Sequence, residues 1–282
     1  MKKKNNLKNI VAIILLIISF IGLVISILNI IDWKINSNKT LKQIEKINEI
    51  VNIEEIQVND QETENLEATD EEVIEENNET IEVNPYYDYL KMNLIYVDFS
   101  ELENINSDIV GWIQVNGTNV NYPFVHTNDN KFYLNHSFDK SYNTAGWVFL
   151  DYRNNENLDS KNNIIYAHNM KDNTMFGSLK KVLANDWLKD TNNHIIRMST
   201  NNENTLWQIF SVYNIETTND YLKINFESDD EFLEFADMLK ARSSYNFNTA
   251  INSNDRILTL STCYQKTHKT VVHAKLIKKG NR

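Results

Sequence analysis

The chain has 282 residues, of which 41% are hydrophobic and 24% charged, and its formal net charge is −11 at pH 7. Its single cysteine excludes an internal disulfide. The sequence has no Gly-rich phosphate loop, no internal repeat of about 20 to 50 residues and no cluster with metal-ligand spacing, so we expect no cofactor, no metal and no nucleic-acid partner.

The first predicted element is a membrane anchor. Residues 10–31 carry no charge, and this is about the length that a helix needs to cross a bilayer. Lysines in the preceding residues 1–9 favour a cytoplasmic N-terminus, with the rest of the chain outside the cell. A cleaved secretory signal is the alternative, but such a signal is normally shorter and ends in a small-x-small site, whereas Asp32 and Trp33 follow here. We predict a single-pass protein of the cell membrane.

Residues 32–84 are predicted to form a juxtamembrane helix and an acidic stalk. Apolar residues at helical spacing, from Leu41 to Val51, indicate the helix. The stretch between residues 51 and 82 is rich in acids and contains no Lys or Arg, which is typical of a segment that cannot bury enough apolar surface to order itself. We interpret it as a solvated spacer, and a specific cation or partner site is the alternative.

Residues 85–282 are long enough for one domain with a full core. One or two short helices are expected after Pro85, and Asn116-Gly117 between two β-prone runs predicts a hairpin. A succession of strands with little helix between them favours a closed or nearly closed β-barrel. Helices are predicted at residues 175–183 and 228–243, the second opened by a capping box of Ser228 and Glu231. The further strands are expected at residues 146–152, 162–168, 194–199, 205–215, 256–263 and 270–279.

Cys263 ends the predicted strand 256–263. A free thiol often packs as a small buried hydrophobe, but at the mouth of a strand it can also be exposed to a groove and act as a nucleophile. A nucleophilic thiol needs an acid or base partner. His168 is favoured because it too closes a strand and precedes a polar turn, although spacing cannot show that it lies near Cys263. The other candidates are His126, His136, His194, His268 and His273.

Four motifs invite a family name: TLSTC at the cysteine, the final strand VVHAKLI, YAHNM at His168, and YLNHSF upstream. Together they resemble the sortases, and among them class B, from about Asp108 to Ile277. The resemblance implies a mainly β fold, an eight-stranded sortase-type barrel with N-terminal helices and a helix in the long loop before the cysteine strand. It also implies a membrane-anchored cysteine transpeptidase.

By this resemblance Cys263 is the nucleophile that attacks a backbone carbonyl of a C-terminal sorting signal and forms a thioester. His168 protonates the leaving amine and later deprotonates the incoming one. The implied partners are surface proteins that bear a sorting motif, together with an amine of a cell-wall peptide or of another protein. A hydrolase, in which water resolves the thioester, uses the same two residues and is a second possibility.

The third catalytic position departs from the family. Sortases are expected to have an Arg just before the last strand, and that position is Lys269 here. Lys carries the charge but lacks the planar fork of Arg. Arg256 lies seven residues before Cys263 on one strand, about 23 Å away, and Arg153, Arg197 and Arg242 stay open. Either Lys269 fills the role, or the domain is a catalytically impaired module that binds sorting peptides without turnover.

A peptide groove is also implied by alignment to class B motifs. Each of its residues has an ordinary alternative role in the core or on a strand. The set is Asn130, Leu134, Tyr166, Tyr221, Leu222 and Ser261.

Overall fold

The computed structural model describes residues 2–57, 86–263 and 268–282. Most of the predicted acidic stalk, and residues 264–267 of the predicted loop after Cys263, lie outside these ranges. The predicted domain boundaries at residues 31, 84 and 85 therefore stay predictions.

The N-terminal part of the chain is one continuous helix, α1 Lys2–Ile50, of 49 residues. Its apolar portion reaches a mean hydropathy of 3.2 over 18 residues and buries none of that surface in the protein, so it is long and apolar enough to cross a membrane. The predicted juxtamembrane helix is the C-terminal end of this same helix. There Asn36, Ser37, Thr40 and Ile47 are buried against the folded domain.

The spacer prediction is wrong at its start. Ile53–Ile56 form strand β1, which pairs antiparallel with β2, Leu94–Val97. Ile53 and Ile56 are partly buried against the domain, and the edge of β2 satisfies the backbone polar groups that a disordered segment would leave to water. Since α1 and β1 both contact the domain, the chain is already packed on the domain before residue 58, where the part of the acid-rich segment outside the described ranges begins.

The core of the domain is a closed barrel of eight strands in the order β10-β8-β7-β3-β4-β5-β6-β9. This confirms the predicted mainly β fold and eight-stranded barrel. All neighbouring pairs are antiparallel except β4 with β5 and β6 with β9. The strands are β3 Ile109–Val115, β4 Asn121–Val125, β5 Phe149–Leu150, β6 Asn162–His168, β7 Ile195–Thr200, β8 Glu203–Glu216, β9 Ile257–Cys263 and β10 His268–Asn281.

Short helices fill the connections between strands. Two of them, α2 and α3, precede the barrel as expected. The α-helices are α2 Tyr86–Leu90, α3 Ser100–Ile105, α4 Asn185–Lys189 and α5 Asp229–Ala241, and the 3-10 helices are Phe132–Leu134, Gly177–Leu183, Thr191–Asn193 and Asp220–Leu222.

The predicted hairpin is present between β3 and β4, which pair antiparallel. Gly117 has φ +69°, in the left-handed region, and a Cβ there would collide with Asn193. By contrast, the predicted strand 146–152 shrinks to Phe149–Leu150. The reason lies at Gly146, whose φ of +60° turns the chain so closely past Tyr133 O that a Cβ would not fit.

Helix α5 confirms the helix predicted in the long β8–β9 connection, and its N-cap is as expected, because Ser228 Oγ accepts the Glu231 backbone N–H at 3.2 Å. In a full capping box the Glu231 carboxylate would accept the backbone N–H of Ser228. Here it accepts the backbone N–H of Glu227 instead, at 2.6 Å. The other predicted helix, at residues 175–183, is a 3-10 helix over Gly177–Leu183. Buried Phe232, Phe235 and Leu239 pack α5 on the outside of the barrel.

A buried histidine, His273, lies in the wall of the barrel. Its Nε2 lies 2.8 Å from Tyr213 Oη and its Nδ1 2.9 Å from Thr259 Oγ1. Thr259 in turn donates to Asn162 Oδ1 at 2.7 Å, so a neutral ring that donates from Nδ1 and accepts at Nε2 satisfies every group. Burial, with a smaller contribution from Arg242, lowers the pKa of His273 to about 3.

We expect the free energy of unfolding to fall as the pH drops below about 6.5. His273 becomes protonated there in the unfolded chain, whereas in the folded protein it stays neutral down to about pH 3. Burial also lowers the pKa of His194, which adds to the effect. Each such group contributes a slope of up to about 1.4 kcal/mol per pH unit. Urea unfolding followed by tryptophan fluorescence between pH 6.5 and 5 should give a smaller slope in His273→Gln than in the parent. The exposed His268→Gln serves as control, and an unchanged slope in His273→Gln would contradict the assignment.

Candidate active site

The three predicted catalytic residues lie at one edge of three neighbouring strands. β6 and β9 run parallel with His168 and Cys263 as direct Cα partners. β9 and β10 run antiparallel, and two residues beyond their last pair, Val271 with Ser261, come Lys269 and Cys263. Because neighbouring strands lie about 4.8 Å apart, the barrel brings together residues whose proximity the sequence could not establish.

The β6–β9 ladder explains this placement. All seven residues of each strand are paired, from Asn162 with Ile257 to His168 with Cys263, so both strands end at the same edge. Parallel strands need a long crossover connection. The chain between them provides it with two strands and helix α5. Six of the seven β6 residues are buried and only His168 is partly exposed, which is the pattern of a strand covered on both faces until it reaches the edge.

His168 is held by a backbone carbonyl. Its Nε2 donates to Leu134 O at 2.7 Å. Because a carbonyl can only accept, the proton of a neutral ring lies on Nε2 and the basic nitrogen is Nδ1. The backbone of His168 is fixed as well, since Phe176 N donates to His168 O at 3.0 Å. The ring is therefore oriented by the 3-10 helix Phe132–Leu134 and its backbone by the loop that follows β6.

Lys269 is the second residue of β10, where it pairs with Ile215 of β8 and is partly exposed. The next residue, Thr270, donates its N–H to Thr262 Oγ1 at 3.0 Å, which keeps β9 and β10 together towards the cysteine edge. The structure thus places a cation at the same edge as Cys263 and His168.

The three arginines that the sequence left open, and Arg256, which its spacing excluded, are all bonded to other groups. Arg256 contacts Glu203 and Leu158 O at the opposite end of β9, as its spacing predicted. Arg242 pairs with Asp220. Arg197 donates to Asn93 O and Asn116, and Arg153 donates to Asp151.

Asp151 connects several residues of the predicted peptide groove. Its fully buried carboxylate accepts hydrogen bonds from Tyr166 Oη at 2.9 Å, from Asn130 Nδ2 at 3.1 Å and from Arg153 Nε and Nη2 at 2.9 and 2.8 Å. Arg153 Nη2 also donates to Leu222 O at 3.1 Å. Burial alone would raise the pKa of Asp151, but the bonds from Arg153 and Tyr166 outweigh it and the pKa is lowered.

The other three residues of the predicted peptide groove differ in their burial. Leu134 is partly buried and supplies the carbonyl that holds His168. Tyr221 and Ser261 are fully buried, and their hydroxyls bond each other at 3.0 Å. These two side chains lie on the outer face of the barrel wall, covered by the β8–β9 connection, and present no surface to solvent.

Sequence reasoning did not single out Asp151 and left Arg153 only as an open alternative. The available signal was an acid and an arginine two residues apart at the end of predicted strand 146–152, in the order Asp151-Tyr152-Arg153. Such spacing allows one side chain to bond the other across a turn. Nothing in it indicates that Asn130, Tyr166 and Leu222 converge on the same pair.

Metal ligation finds no support within the described ranges, where no group of three His, Cys, Asp or Glu side chains is placed to hold an ion. The expectation of no metal requirement stays a prediction.

Comparison with known proteins decides the family. A model described as a sortase domain matches residues 113–277. The chain belongs to the sortase family. It is 38% identical to Sortase B of Staphylococcus aureus over 184 residues, covering 64% of this chain and 75% of that protein. It is 36% identical to Sortase B of Listeria monocytogenes over 189 residues, with the same coverage.

Solved structures agree with this assignment to the class B sortases. A Staphylococcus aureus sortase B–substrate complex matches with a TM-score of 0.60 at 37% identity, covering 64% of this chain and 84% of that one. A sortase B structure complexed with triglycine matches equally well, with 85% of that chain covered. The family resemblance of the sequence motifs is thereby confirmed, and the sortase homology makes the protein a sortase-type transpeptidase.

Removing the charge of Asp151 should destabilise the domain. In Asp151→Asn the Arg153 guanidinium and the Tyr166 hydroxyl lose a charged acceptor, and we expect the free energy of unfolding at pH 7 to fall by about 2 kcal/mol. Because the pKa of Asp151 is lowered on folding, its contribution is present above about pH 3.9 and disappears in more acidic solution. Urea unfolding at pH 7 and at pH 3.5 measures both effects. Asp159→Asn, at an exposed carboxylate that accepts from Asn155 Nδ2, is the matched control, and equal losses in the two variants would contradict the prediction.

Proposed function

We propose that this sortase cleaves the C-terminal sorting signal of surface proteins through a thioester on Cys263 and transfers the acyl group to an amine. The observation that carries the proposal is the β6–β9 ladder, which pairs His168 with Cys263 at the open edge of the barrel in a chain related to sortase B proteins.

The proposed acylation uses both residues. Cys263 gives its thiol proton to His168, and the thiolate attacks a backbone carbonyl carbon of the signal. The carbon–nitrogen bond then breaks, and the departing amine takes that proton from His168. In the second half an incoming amine attacks the thioester, His168 removes its proton, and the Cys263 thiolate leaves. One imidazole thus serves the two amines as acid and then as base, and the thioester conserves the energy of the cleaved bond for the new amide.

Lys269 is proposed to stabilise the oxyanion that forms during both attacks. Its place at the start of β10, at the edge that also holds Cys263, supports this role. An ammonium offers charge and three rotating donors, whereas a guanidinium offers a fixed planar fork. The alternative therefore stays in view that the groove binds sorting peptides without turning them over.

The peptide is proposed to lie against Asn130, Leu134, Tyr166 and Leu222, with the predicted groove residues Tyr221 and Ser261 buried and supporting this surface from behind. The convergence of Asn130, Tyr166 and Leu222 on Asp151 and Arg153 supports a common surface for three of them. Substrate and triglycine complexes of related sortase B proteins support a peptide donor and an amine acceptor. The acceptor here is proposed to be an amine of a cell-wall peptide or of another protein.

We further propose that α1 anchors the enzyme in the cell membrane by a single pass, with the N-terminus in the cytoplasm and the barrel outside. The apolar portion of α1 supports the span, and the lysines before it support the orientation.

The decisive experiment uses the full chain in detergent with a library of sorting-type peptides, with and without triglycine, and records intact protein mass. The expected result is an acyl adduct on Cys263 that triglycine discharges into a peptide product. If the adduct disappears by hydrolysis at the same rate with and without triglycine, the protein is a hydrolase. Cys263→Ala should lose the adduct and keep peptide binding. Absence of any adduct in the parent, with binding retained, would favour the non-catalytic module.

The role of Lys269 has its own test. Lys269→Ala should lower the acylation rate by about a hundredfold, the usual effect of removing one oxyanion donor. Lys269→Arg should acylate faster than the parent because it restores the planar fork. Lys279→Arg, the same exchange at the far end of β10, is the control. Parent-like rates in Lys269→Ala would exclude Lys269 from catalysis, and an adduct seen only in Lys269→Arg would identify an impaired enzyme.

A further inference from the structure

We propose that the C-terminal end of α1 is a positioning element of the active site, in which Ser37 and Thr40 hold the two chain segments that orient His168. The inference rests on the acid–base role proposed for His168. It assigns to the anchor helix a part in the reaction as well as in attachment.

The first contact is made by Ser37. Its side chain is buried between α1 and the domain, and Ser37 Oγ donates to Asp172 Oδ2 at 2.6 Å. Helix α1 is continuous through this point and has no break between its apolar portion and Ser37. The helix that leaves the apolar segment is therefore bonded directly to the loop after β6.

Asp172 lies four residues beyond His168 and organises that loop. Its Oδ1 accepts hydrogen bonds from Thr174 N at 3.1 Å and Thr174 Oγ1 at 2.7 Å. A bridge between Asn169 and Met175 closes the loop next to His168. Burial opposes the charge of Asp172, but the bonds from Ser37 and Thr174 lower its pKa, so the carboxylate is ionised and accepts from both sides.

The second contact is made by Thr40, one helical turn further along the same face. Asn143 Nδ2 donates to Thr40 Oγ1 at 2.8 Å, and Thr40 in turn donates to Asn36 O at 3.0 Å. Thr40 and Asn143 are both fully buried. A hydroxyl that donates within the helix and accepts from the domain leaves neither polar group unpaired.

Asn143 connects Thr40 to the imidazole. Its backbone N–H donates to Asn135 O at 2.9 Å, and Asn135 directly follows Leu134, whose carbonyl accepts the hydrogen bond from His168 Nε2. The helix thus contacts both supports of His168, the loop that continues from its backbone and the segment that holds its ring. Because general acid–base transfer depends on geometry, a displacement of about 1 Å can cost on the order of a hundredfold in rate.

The remaining surface of α1 provides a matched control. Asn38 lies between Ser37 and Thr40 in sequence but is exposed. Replacing it leaves both contacts to the domain intact. Ser37→Ala and Thr40→Val each remove one hydroxyl with little change in volume, and Ser37→Thr and Thr40→Ser restore it.

The test uses the full chain in lipid nanodiscs and measures Cys263 acylation in single-turnover experiments, together with the steady-state kcat and KM for a sorting peptide. Ser37→Ala and Thr40→Val should each lower kcat about tenfold, and the double variant should lower it further. KM should change less than threefold, because the peptide groove is not touched. Ser37→Thr and Thr40→Ser should recover activity, and Asn38→Ala should equal the parent.

A second readout does not depend on turnover. The pH titration of His168 imidazole nitrogens, followed by NMR with labelled histidine, should shift in Ser37→Ala and Thr40→Val and stay unchanged in Asn38→Ala. Parent-like kcat and titration in the double variant would overturn the inference. So would a loss confined to KM, or one that the conservative variants fail to restore. If the parent itself forms no thioester, the proposed function fails, and the NMR titration still decides whether α1 positions His168.

Discussion

The architecture depends on the parallel pairing of β6 with β9 along their whole length. A slip of one residue would send every side chain of the slipped strand to the opposite face of the barrel wall, and it would also move His168 off the level of Cys263. The register is specified by an almost fully buried β6 and by polar side chains at the start of the ladder, where Thr259 bonds Asn162. The same constraint that closes the barrel therefore sets the distance between the two reacting groups.

Buried polar networks fix this wall more tightly than apolar packing alone. One chain of hydrogen bonds runs along the outer face of the wall, where it joins Tyr213, His273, Thr259 and Asn162. Asp151 forms another network around Tyr166. In a low-dielectric interior such groups are costly unless every donor finds its acceptor. Alternative packings that break either network are disfavoured, which makes the edge of the barrel a rigid frame for chemistry.

Much of the fold could be predicted from sequence because its signals are local. Asn116-Gly117 marked the hairpin, Ser228 marked the start of α5, and alternating or buried apolar runs marked β6 and β9. What could not be predicted depends on contacts distant in sequence. Spacing does not reveal that His168 and Cys263 share a ladder, since their strands are almost a hundred residues apart.

The contacts of α1 were missed for a different reason. Asn36, Ser37 and Thr40 are polar, and polar residues on a helix next to an anchor normally face water. Their partners Asp172 and Asn143 lie more than a hundred residues further along the chain. Residues 53–56 fall within the predicted acidic spacer because two glutamates stand between the two isoleucines that face the domain, and the acids dominate the local composition.

The continuity of α1 also determines how far the enzyme can reach. Ser37 lies six residues beyond Ile31, about 9 Å along the helix, and it is already bonded to the domain. A domain on a flexible linker can explore a large volume around its anchor. A barrel that is bonded to α1 so near the apolar segment cannot do so. With α1 in a bilayer, encounters with other membrane-bound proteins are confined to a thin layer and governed by lateral diffusion. For the proposed single-pass anchor, and for donor proteins held in the same membrane, the density of donors per unit of membrane area, and not their concentration in bulk solution, sets the rate at which the proposed groove is filled.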